Sequence, residues 1–303
     1  MDFVTFTIII DDIVFPDGRT AMGVLGGGGP QTALGMKLWA DRVGLVANIG
    51  ADLPVEARQW LDQMEIDAAG VQESAVLPTL RAWQLMEEDG RRTQIWRVLP
   101  HQIGPQIGRT LERLDASGYI AVRGFHIGAH VESPNFEFLH ALRARCQVLS
   151  LEIFRPAEKP LDPHALHELV SAGHIFSLNQ LEAESLVGAG EPVELARRLA
   201  EAGAPIVTLR CGAAGSVVHR ADTGETHVIP AVKTNVVDPV GAGNAYSGAF
   251  LAGWVQTRDL RTAGLYGAVA ASFLIEQVGL PPVRADLRQM AQARLRILRE
   301  QTF

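Results

Sequence analysis

Cysteine is scarce in this chain: two residues in 303, Cys146 and Cys211, far apart and without metal-ligand spacing. That excludes a disulfide framework and a cysteine zinc site, and it predicts two core thiols in a protein of a reducing compartment, the cytoplasm. Positive charge is also in deficit, with 27 Lys and Arg against 34 Asp and Glu and a formal net charge of -7. Nucleic-acid backbones are bound by clustered cations, so that partner class is excluded. No apolar run approaches the ~18 residues that a membrane span requires. The apolar start, Phe3–Ile10, follows Asp2 and ends in Asp11-Asp12, with neither a basic flank nor a small-residue cleavage site. It reads as a buried strand and not as a signal peptide. Low-complexity linkers, charge blocks and internal repeats are missing, so residues 1–303 are expected to form one domain. Also missing are H-E-x-x-H, G-x-S-x-G, Walker A and G-x-G-x-x-G sequences. With no acidic ribose partner either, a dinucleotide-dependent oxidoreductase is disfavoured.

What is present is a 47% apolar composition, enough for a sizeable core. Short β-branched runs alternate with helical patterns, which predicts an α/β fold with a mostly parallel sheet covered on both faces. Strands are expected at Phe3–Ile10, Val43–Ile49, Tyr119–Val122, Gln147–Leu151, His174–Leu178 and Pro205–Leu209. Helices are expected at Thr32–Ala40 behind Pro30, and at Leu53–Met64, Asn135–Arg145, Pro163–Ala172 and Val193–Ala202. Ser216–His219 and Thr226–Ile229 flank Thr223-Gly224 and read as an antiparallel edge pair. Three helices, Ala242–Gln256, Leu260–Gln277 and Val283–Arg299, close the chain.

Two segments break the alternation. Thr79–Glu88 and Arg91–Val98 are extended runs about Asp89-Gly90, and Asp12–Phe15 and Thr20–Leu25 flank Pro16-Asp17-Gly18. Residues 12–25 and 79–98 are expected to project as a small antiparallel lid. Trp83 and Trp96 would pack it onto the body or a second subunit, or shield a bound substrate.

Several motifs could carry chemistry. Asp238-Pro239-Val240-Gly241-Ala242-Gly243-Asn244 opens a helix with small residues, so an anion could approach the main-chain N–H groups at the positive helix end. Gly26-Gly27-Gly28-Gly29 leads into another helix and is either a flexible turn or a ligand loop. Asp11-Asp12 is either a solvated turn or a ligand site at a strand end. Asn179…Glu182 has the spacing of a capping box and equally of an amide and carboxylate beside a hydrated Mg²⁺. Thr208-Leu209-Arg210-Cys211-Gly212-Ala213-Ala214-Gly215 ends a strand in a small-residue loop, a plain turn or a nucleotide floor. His126, His130 and His140 lack metal-site spacing and read as structural.

In order and spacing these pieces resemble the ribokinase-like carbohydrate kinases, the PfkB family, over nearly the whole chain. The resemblance rests on Asp11, Gly26–Gly29, Gly50-Ala51-Asp52, the Asp89-Gly90 hairpin, Asn179…Glu182, Thr208…Gly215, Asp238…Gly243 and Gly279. It implies a Rossmann-like three-layer α/β sandwich with a β lid, and ATP-dependent transfer of a γ-phosphate to an alcohol of a sugar, polyol or nucleoside. It further implies Mg²⁺, a monovalent cation such as K⁺, and homodimers paired through the lid. By resemblance, Asp11, Gly27, Gly28 and Gln31 face the acceptor. Asn179 and Glu182 organise Mg²⁺ and phosphates, and Thr208, Gly212 and Asp238 border the nucleotide. Gly241, Ala242 and Gly243 form the anion hole. The chain departs from the family twice: Gln31 stands for the usual Asn, and Asn244 for the catalytic Asp. Asparagine accepts a hydrogen bond but takes no proton at neutral pH. The site is therefore either a kinase that deprotonates its acceptor by another route, such as Asp11 or water, or a nucleotide or sugar sensor.

Overall fold

Thr7 divides the first apolar run in two. Its φ of 78° turns the chain out of β1 (Phe3–Phe6) and, after Ile8, into β2 (Ile9–Val14), which belongs to a different sheet. The single strand expected over Phe3–Ile10 is thereby corrected, and Asp11 lies inside β2 and not at the end of the first strand. A left-handed conformation at a β-branched residue costs ~1–3 kcal/mol and persists only where its surroundings hold it. Here Thr7 N–H donates to Val46 O at 2.9 Å and Gly29 N–H to Thr7 O at 3.1 Å. The half-buried Arg109 guanidinium donates to the Thr7 hydroxyl at 2.9 Å.

The computed structural model describes residues 1–88, 92–107 and 109–300. After β2 come β3 (Thr20–Gly26), α1 (Gly29–Lys37), β4 (Val43–Gly50), α2 (Val55–Gln63), β5 (Asp67–Ser74), β6 (Arg81–Met86) and β7 (Arg92–Trp96). The middle of the chain forms α3 (Pro100–Ile107), α4 (Leu111–Ala116), β8 (Val122–Ala129), α5 (Phe136–Ala144), β9 (Cys146–Ile153), α6 (Pro163–Ser171) and β10 (Ile175–Asn179). The remainder is α7 (Gln180–Val187), α8 (Pro192–Glu201), β11 (Ile206–Arg210), β12 (Ser216–Arg220), β13 (Thr226–Ile229), α9 (Ala242–Thr257), α10 (Leu260–Leu274) and α11 (Leu287–Glu300).

The large sheet has the order β13-β12-β11-β10-β9-β8-β1-β4-β5 and is parallel except for β12 and β13 at one edge. Successive residues of its strands enter opposite cores, as the two-residue strand period requires. Phe3, Leu45, Val148 and Ile206 join the core under α1, α2, α9, α10 and α11. Val4, Val46, Leu149 and Val207 join the core under α4–α8. The result is the expected three-layer sandwich. The strand expected at Tyr119–Val122 begins instead at Val122, and β5 was not anticipated: its largely exposed face, Asp67 to Gln72, leaves little apolar alternation to read.

The second sheet, β3-β2-β6-β7, is the lid. Its two hairpins are antiparallel, but β2 and β6 pair in parallel, so the lid is mixed and not purely antiparallel. The turn expected at Asp89-Gly90 lies outside the described residues. Asp11 and Asp12 are neighbours on β2 and so point to opposite faces. Asp12 is fully buried: it accepts Arg81 Nε at 2.6 Å, Arg81 Nη2 and Gly23 N–H at 2.8 Å, and Arg97 Nη1. Burial pushes its carboxyl up, but these donors outweigh it and hold the group down at about 2. Arg97 also lies 4.6 Å over the Trp83 ring, so Trp83 packs within the lid. Asp52 fixes the entry to the lid by accepting Thr79 N–H at 2.7 Å.

Candidate active site

Two helix starts meet below the lid because α1 and α9 cross backbone to backbone. A Cβ on Gly35 would lie 2.1 Å from Ala245 O, and one on Gly248 would lie 2.2 Å from Thr32 O. No larger residue fits this crossing, which brings Gln31 directly over the Asp238–Asn244 turn. Gly241 caps α9 with φ 82°, a conformation natural to glycine, and no side chain caps the helix. A Cβ there would sit 2.4 Å from Gln31 Cδ. Ala242 N–H turns back to Pro239 O at 3.3 Å. Among the described residues the N–H groups of Gly241, Gly243 and Asn244 have no acceptor. These are the donors at the positive end of a sixteen-residue helix.

Gln31 is the hub of the side facing the lid. Its Oε1 accepts from Asn244 Nδ2 at 2.7 Å. Asn244 Oδ1 is the side-chain atom nearest Gly28, 3.6 Å from where a Cβ would stand, and Gly28 itself has φ 83°. On the lid side, Asp11 Oδ2 lies 2.0 Å from the Cβ position of Gly26, and Gln31 Nε2 lies 3.6 Å from the same point. Gln84 Nε2 donates to Asp11 Oδ1 at 2.7 Å. Burial lifts the Asp11 carboxyl to about 6, against the Gln84 hydrogen bond and the positive charge of Arg92. Gly27 completes this wall, with Ile9 N 2.2 Å from its Cβ position. The structure thus gathers Asp11, Gly27, Gly28, Gln31 and Asn244, from the lid and two helix starts.

The opposite side is built on the carboxyl ends of β9, β10 and β11. Asn179 and Glu182 form the full capping box: Glu182 N–H donates to Asn179 Oδ1 at 2.9 Å, and Asn179 N–H to Glu182 Oε2 at 2.7 Å. Burial pushes the Glu182 carboxyl up, against the charge of Arg210 and the Asn179 N–H. Gly212, with φ 57°, starts a short turn and has open space beside it. Thr208 is fully buried, and its hydroxyl donates to Ser177 Oγ at 2.7 Å. Strand alternation puts Arg210 on the same face, nearer the open end, and that residue reaches the turn. Asp238 Oδ1 accepts Val240 N–H at 2.9 Å, and its Oδ2 is buried. Burial pushes this carboxyl up, opposed by the Val240 and Gly279 N–H groups and by the charge of Arg92.

Among the described residues no group of three or more His, Cys, Asp or Glu could cage a metal. Mg²⁺ needs no such cage: it keeps several waters and takes one or two carboxylates beside substrate phosphates. Glu182 suits that role. His126 bonds Ser150 Oγ at 2.9 Å, while His130 packs edge-on to Phe154 and His140 stacks on Phe136, consistent with structural histidines. No helix among the described residues is long and apolar enough to cross a membrane.

Two residues of the site carry little sequence signal. Arg210 lies in the Thr208–Gly215 segment, where the glycines are the stronger signal. Arg92, at the start of β7, projects positive charge onto Asp11, Glu182 and Asp238, which lie in three separate chain segments. Nothing in its local sequence marks it.

Comparison with known proteins gives the family and the fold. A family model for pfkB family carbohydrate kinases matches residues 16–283. The chain is 30% identical over 274 residues to a cytidine kinase of Thermococcus kodakarensis, covering 90% of this chain and 95% of that protein. It is 26% identical over 279 residues to a nucleoside kinase of Methanocaldococcus jannaschii, covering 88% and 85% of the two chains. Among solved structures, the M. jannaschii nucleoside kinase, an archaeal member of the ribokinase family, superimposes with a TM-score of 0.69 at 20% identity, covering 98% of this chain and 99% of that one. Arabidopsis thaliana ribokinase, solved with ribose and ATP, superimposes with a TM-score of 0.74 at 17% identity, covering 97% and 98%. At these identities the structural matches carry the fold, and the family match carries the relationship. The chain belongs to the pfkB family of carbohydrate kinases.

Proposed function

We propose that this protein transfers the γ-phosphate of ATP to a hydroxyl of a nucleoside, with cytidine the first acceptor to test. The observation that carries this reading is the convergence of an open helix start, Gly241–Asn244, with the acceptor-side pair Asp11 and Gln31. The kinase activity follows the family; the nucleoside preference follows the names of the two relatives matched over most of their length.

In this reading the open N–H groups of Gly241 and Gly243 bind the oxygens of the transferring phosphoryl group. Phosphoryl transfer depends mainly on alignment and charge stabilisation, which fixed donors at a helix start supply without reorganising. Asp11 accepts hydrogen bonds from acceptor hydroxyls, and Gly27 and Gly28 leave room for the acceptor to approach. Asn244 Oδ1 orients the attacking hydroxyl. Its proton leaves to water or to the phosphoryl oxygens as the new bond forms, because Asn244 cannot hold it. Asn179 and Glu182 face Mg²⁺, which neutralises phosphate charge when bound. Gly212 floors the nucleotide, with Thr208 bracing it from below. The buried carboxylate of Asp238 suits a monovalent cation such as K⁺.

The half-exposed apolar residues Met22 and Ile95 on the lid support a lid-paired homodimer, to be read by sedimentation. The net charge of -7 supports an enzyme without nucleic-acid partners, and the two free cysteines suit a reducing compartment such as the cytoplasm. The decisive experiment is an ATP assay over cytidine, uridine, adenosine, inosine, ribose and fructose, with Mg²⁺ and with K⁺ present or absent. Transfer to cytidine above the sugars supports the reading. ATP binding without transfer to any acceptor overturns it in favour of a sensor.

A further inference from the structure

Arg210 brings a guanidinium to the positive start of α9, with two carboxylates behind it. It is the last residue of β11, and its side chain is 15% exposed. A Cβ on Gly243 would lie 3.1 Å from Arg210 Nε and 3.2 Å from Cζ, so the guanidinium covers the anion turn itself. The first turn of α9 already carries partial positive charge, and a cation placed there is repelled.

The surroundings hold this arginine without using its fork. Nη1 donates to Ser177 Oγ at 2.7 Å and to Ser247 Oγ at 2.9 Å. Ser247 in turn donates to Gly243 O at 2.9 Å, tying the guanidinium to the turn. Glu152 and Glu182 approach only to 3.7 and 3.6 Å, outside hydrogen-bond contact. They offset the charge from behind, and His126 extends the row at 3.5 Å from Glu152. Burial pushes the Glu152 carboxyl up, but the charges of His126 and Arg210 bring it below its ordinary value, so Glu152 remains a carboxylate facing Arg210. Among the described residues Nε and Nη2 of Arg210 have no hydrogen-bond acceptor. A guanidinium fork with open donors matches phosphoryl oxygens in shape and charge.

We propose that Arg210 is a catalytic residue of the phosphotransferase, an arginine supplied by the chain's own sheet that contacts the γ-phosphoryl group during transfer. This rests on the kinase reading above. The acceptor oxygen bonds to the γ-phosphorus as the bond to the ADP oxygen breaks, and that electron pair leaves with ADP. The acceptor proton passes to solvent. Charge then spreads over three phosphoryl oxygens beside Gly241, Gly243 and the open Arg210 donors. Arginines acting in this way are worth roughly 10³-fold or more in turnover. With an asparagine at 244, charge stabilisation carries more of the barrier than proton removal does.

The test compares wild type, Arg210→Met and Arg210→Lys in the full chain. Readouts are transfer kinetics and the binding of Mg²⁺–ADP with and without aluminium fluoride, a mimic of the transferring group. The expected result is a fall in kcat of about 10³-fold for Arg210→Met, with acceptor KM within about threefold of wild type. Its affinity for the fluoride complex falls by a similar factor while that for plain ADP is kept. Arg210→Lys keeps the charge between Glu152 and Glu182, so it folds even where Arg210→Met does not. Having lost the fork, it is expected at about a tenth to a hundredth of wild-type kcat. An active wild type with an unimpaired Arg210→Lys, or with equal losses for plain ADP and the fluoride complex, overturns the inference alone. A wild type inactive on every acceptor overturns the kinase reading and this inference with it.

Discussion

Asn244 Nδ2 donates to Gln31 Oε1 across 2.7 Å, so the two residues that the resemblance marks as departures touch each other. The hydrogen bond fixes the Asn244 carboxamide with its Oδ1 toward Gly28 and the acceptor side. Gln31 therefore acts through Asn244 as a positioning residue. Gln31→Ala frees that carboxamide to turn, and kcat is expected to fall about tenfold, the cost of one lost hydrogen bond of about 1–1.5 kcal/mol. ATP KM should be unchanged, since Gln31 faces the acceptor. A larger change in ATP KM than in kcat would contradict the assignment.

Replacing Asn244 by aspartate restores a group that can take the proton. General-base help is worth about 10²–10⁴-fold, so Asn244→Asp is expected to raise kcat by at least the lower figure. Gln31 must rotate its amide to offer Nε2 to the new carboxylate. The Gln31→Asn, Asn244→Asp double variant should therefore deviate from the product of the single effects. Initial rates for the four proteins measure this. Equal rates for wild type and Asn244→Asp would mean that proton removal does not limit turnover.

Asp11 gives the site an acid limb. Burial raises its carboxyl from 3.8 to about 6, so the native state holds this proton more tightly than the unfolded chain does. Its contribution to stability is therefore complete below about 4 and is lost as pH rises through about 6. At pH 7.5 Asp11→Asn should melt above wild type, and the gap should close on acidification to pH 4. Acceptor binding needs the carboxylate, so wild-type acceptor KM should climb as pH falls below 6. Melting curves and KM across this range check both signs.

Asp12 behaves in the opposite sense. Arg81, Gly23 and Arg97 overcome its burial and hold it at about 2 against 3.8 unfolded. Its stabilisation is present above pH 4 and is lost as pH falls toward 2. Asp12→Ala leaves two guanidiniums facing each other, each about a third exposed and so partly screened by solvent. The expected cost is about 1–3 kcal/mol. Hydrogen exchange should show it confined to β2, β3, β6 and β7, with the large sheet unchanged.

Gly241→Ala tests the turn directly. A methyl group there meets Gln31 Cδ at 2.4 Å in a backbone conformation that costs alanine ~1–2 kcal/mol. A melting temperature lowered by a few degrees, with transfer reduced by more than tenfold, is the expected outcome. Retained activity would place the transferring phosphate elsewhere.

Much of this was legible in the chain. Strands such as Val43–Gly50 and Ile206–Arg210 are short, mostly apolar runs, and the small-residue signals at Gly26–Gly29 and Gly241–Gly243 mark real helix starts. The rest depended on long-range geometry. Thr7 reads as an ordinary strand residue, and only its contacts to Val46, Gly29 and Arg109 reveal the break. Thr208 and Arg210 share a strand face, and the position of the sheet's open end decides which one meets the turn. The Gln31–Asn244 bond joins residues more than two hundred positions apart through a helix crossing that no local pattern specifies.

The break at Thr7 has a mechanical implication. Only Thr7 and Ile8 separate a central strand of the body from the lid strand that carries Asp11. Any tilt of the lid swings that carboxylate away from Gln31 and Asn244, which stay with α1 and α9. On the role proposed for Asp11, capturing an acceptor and shutting the cleft would be one motion, and a lid that failed to seat would leave the acceptor ungripped.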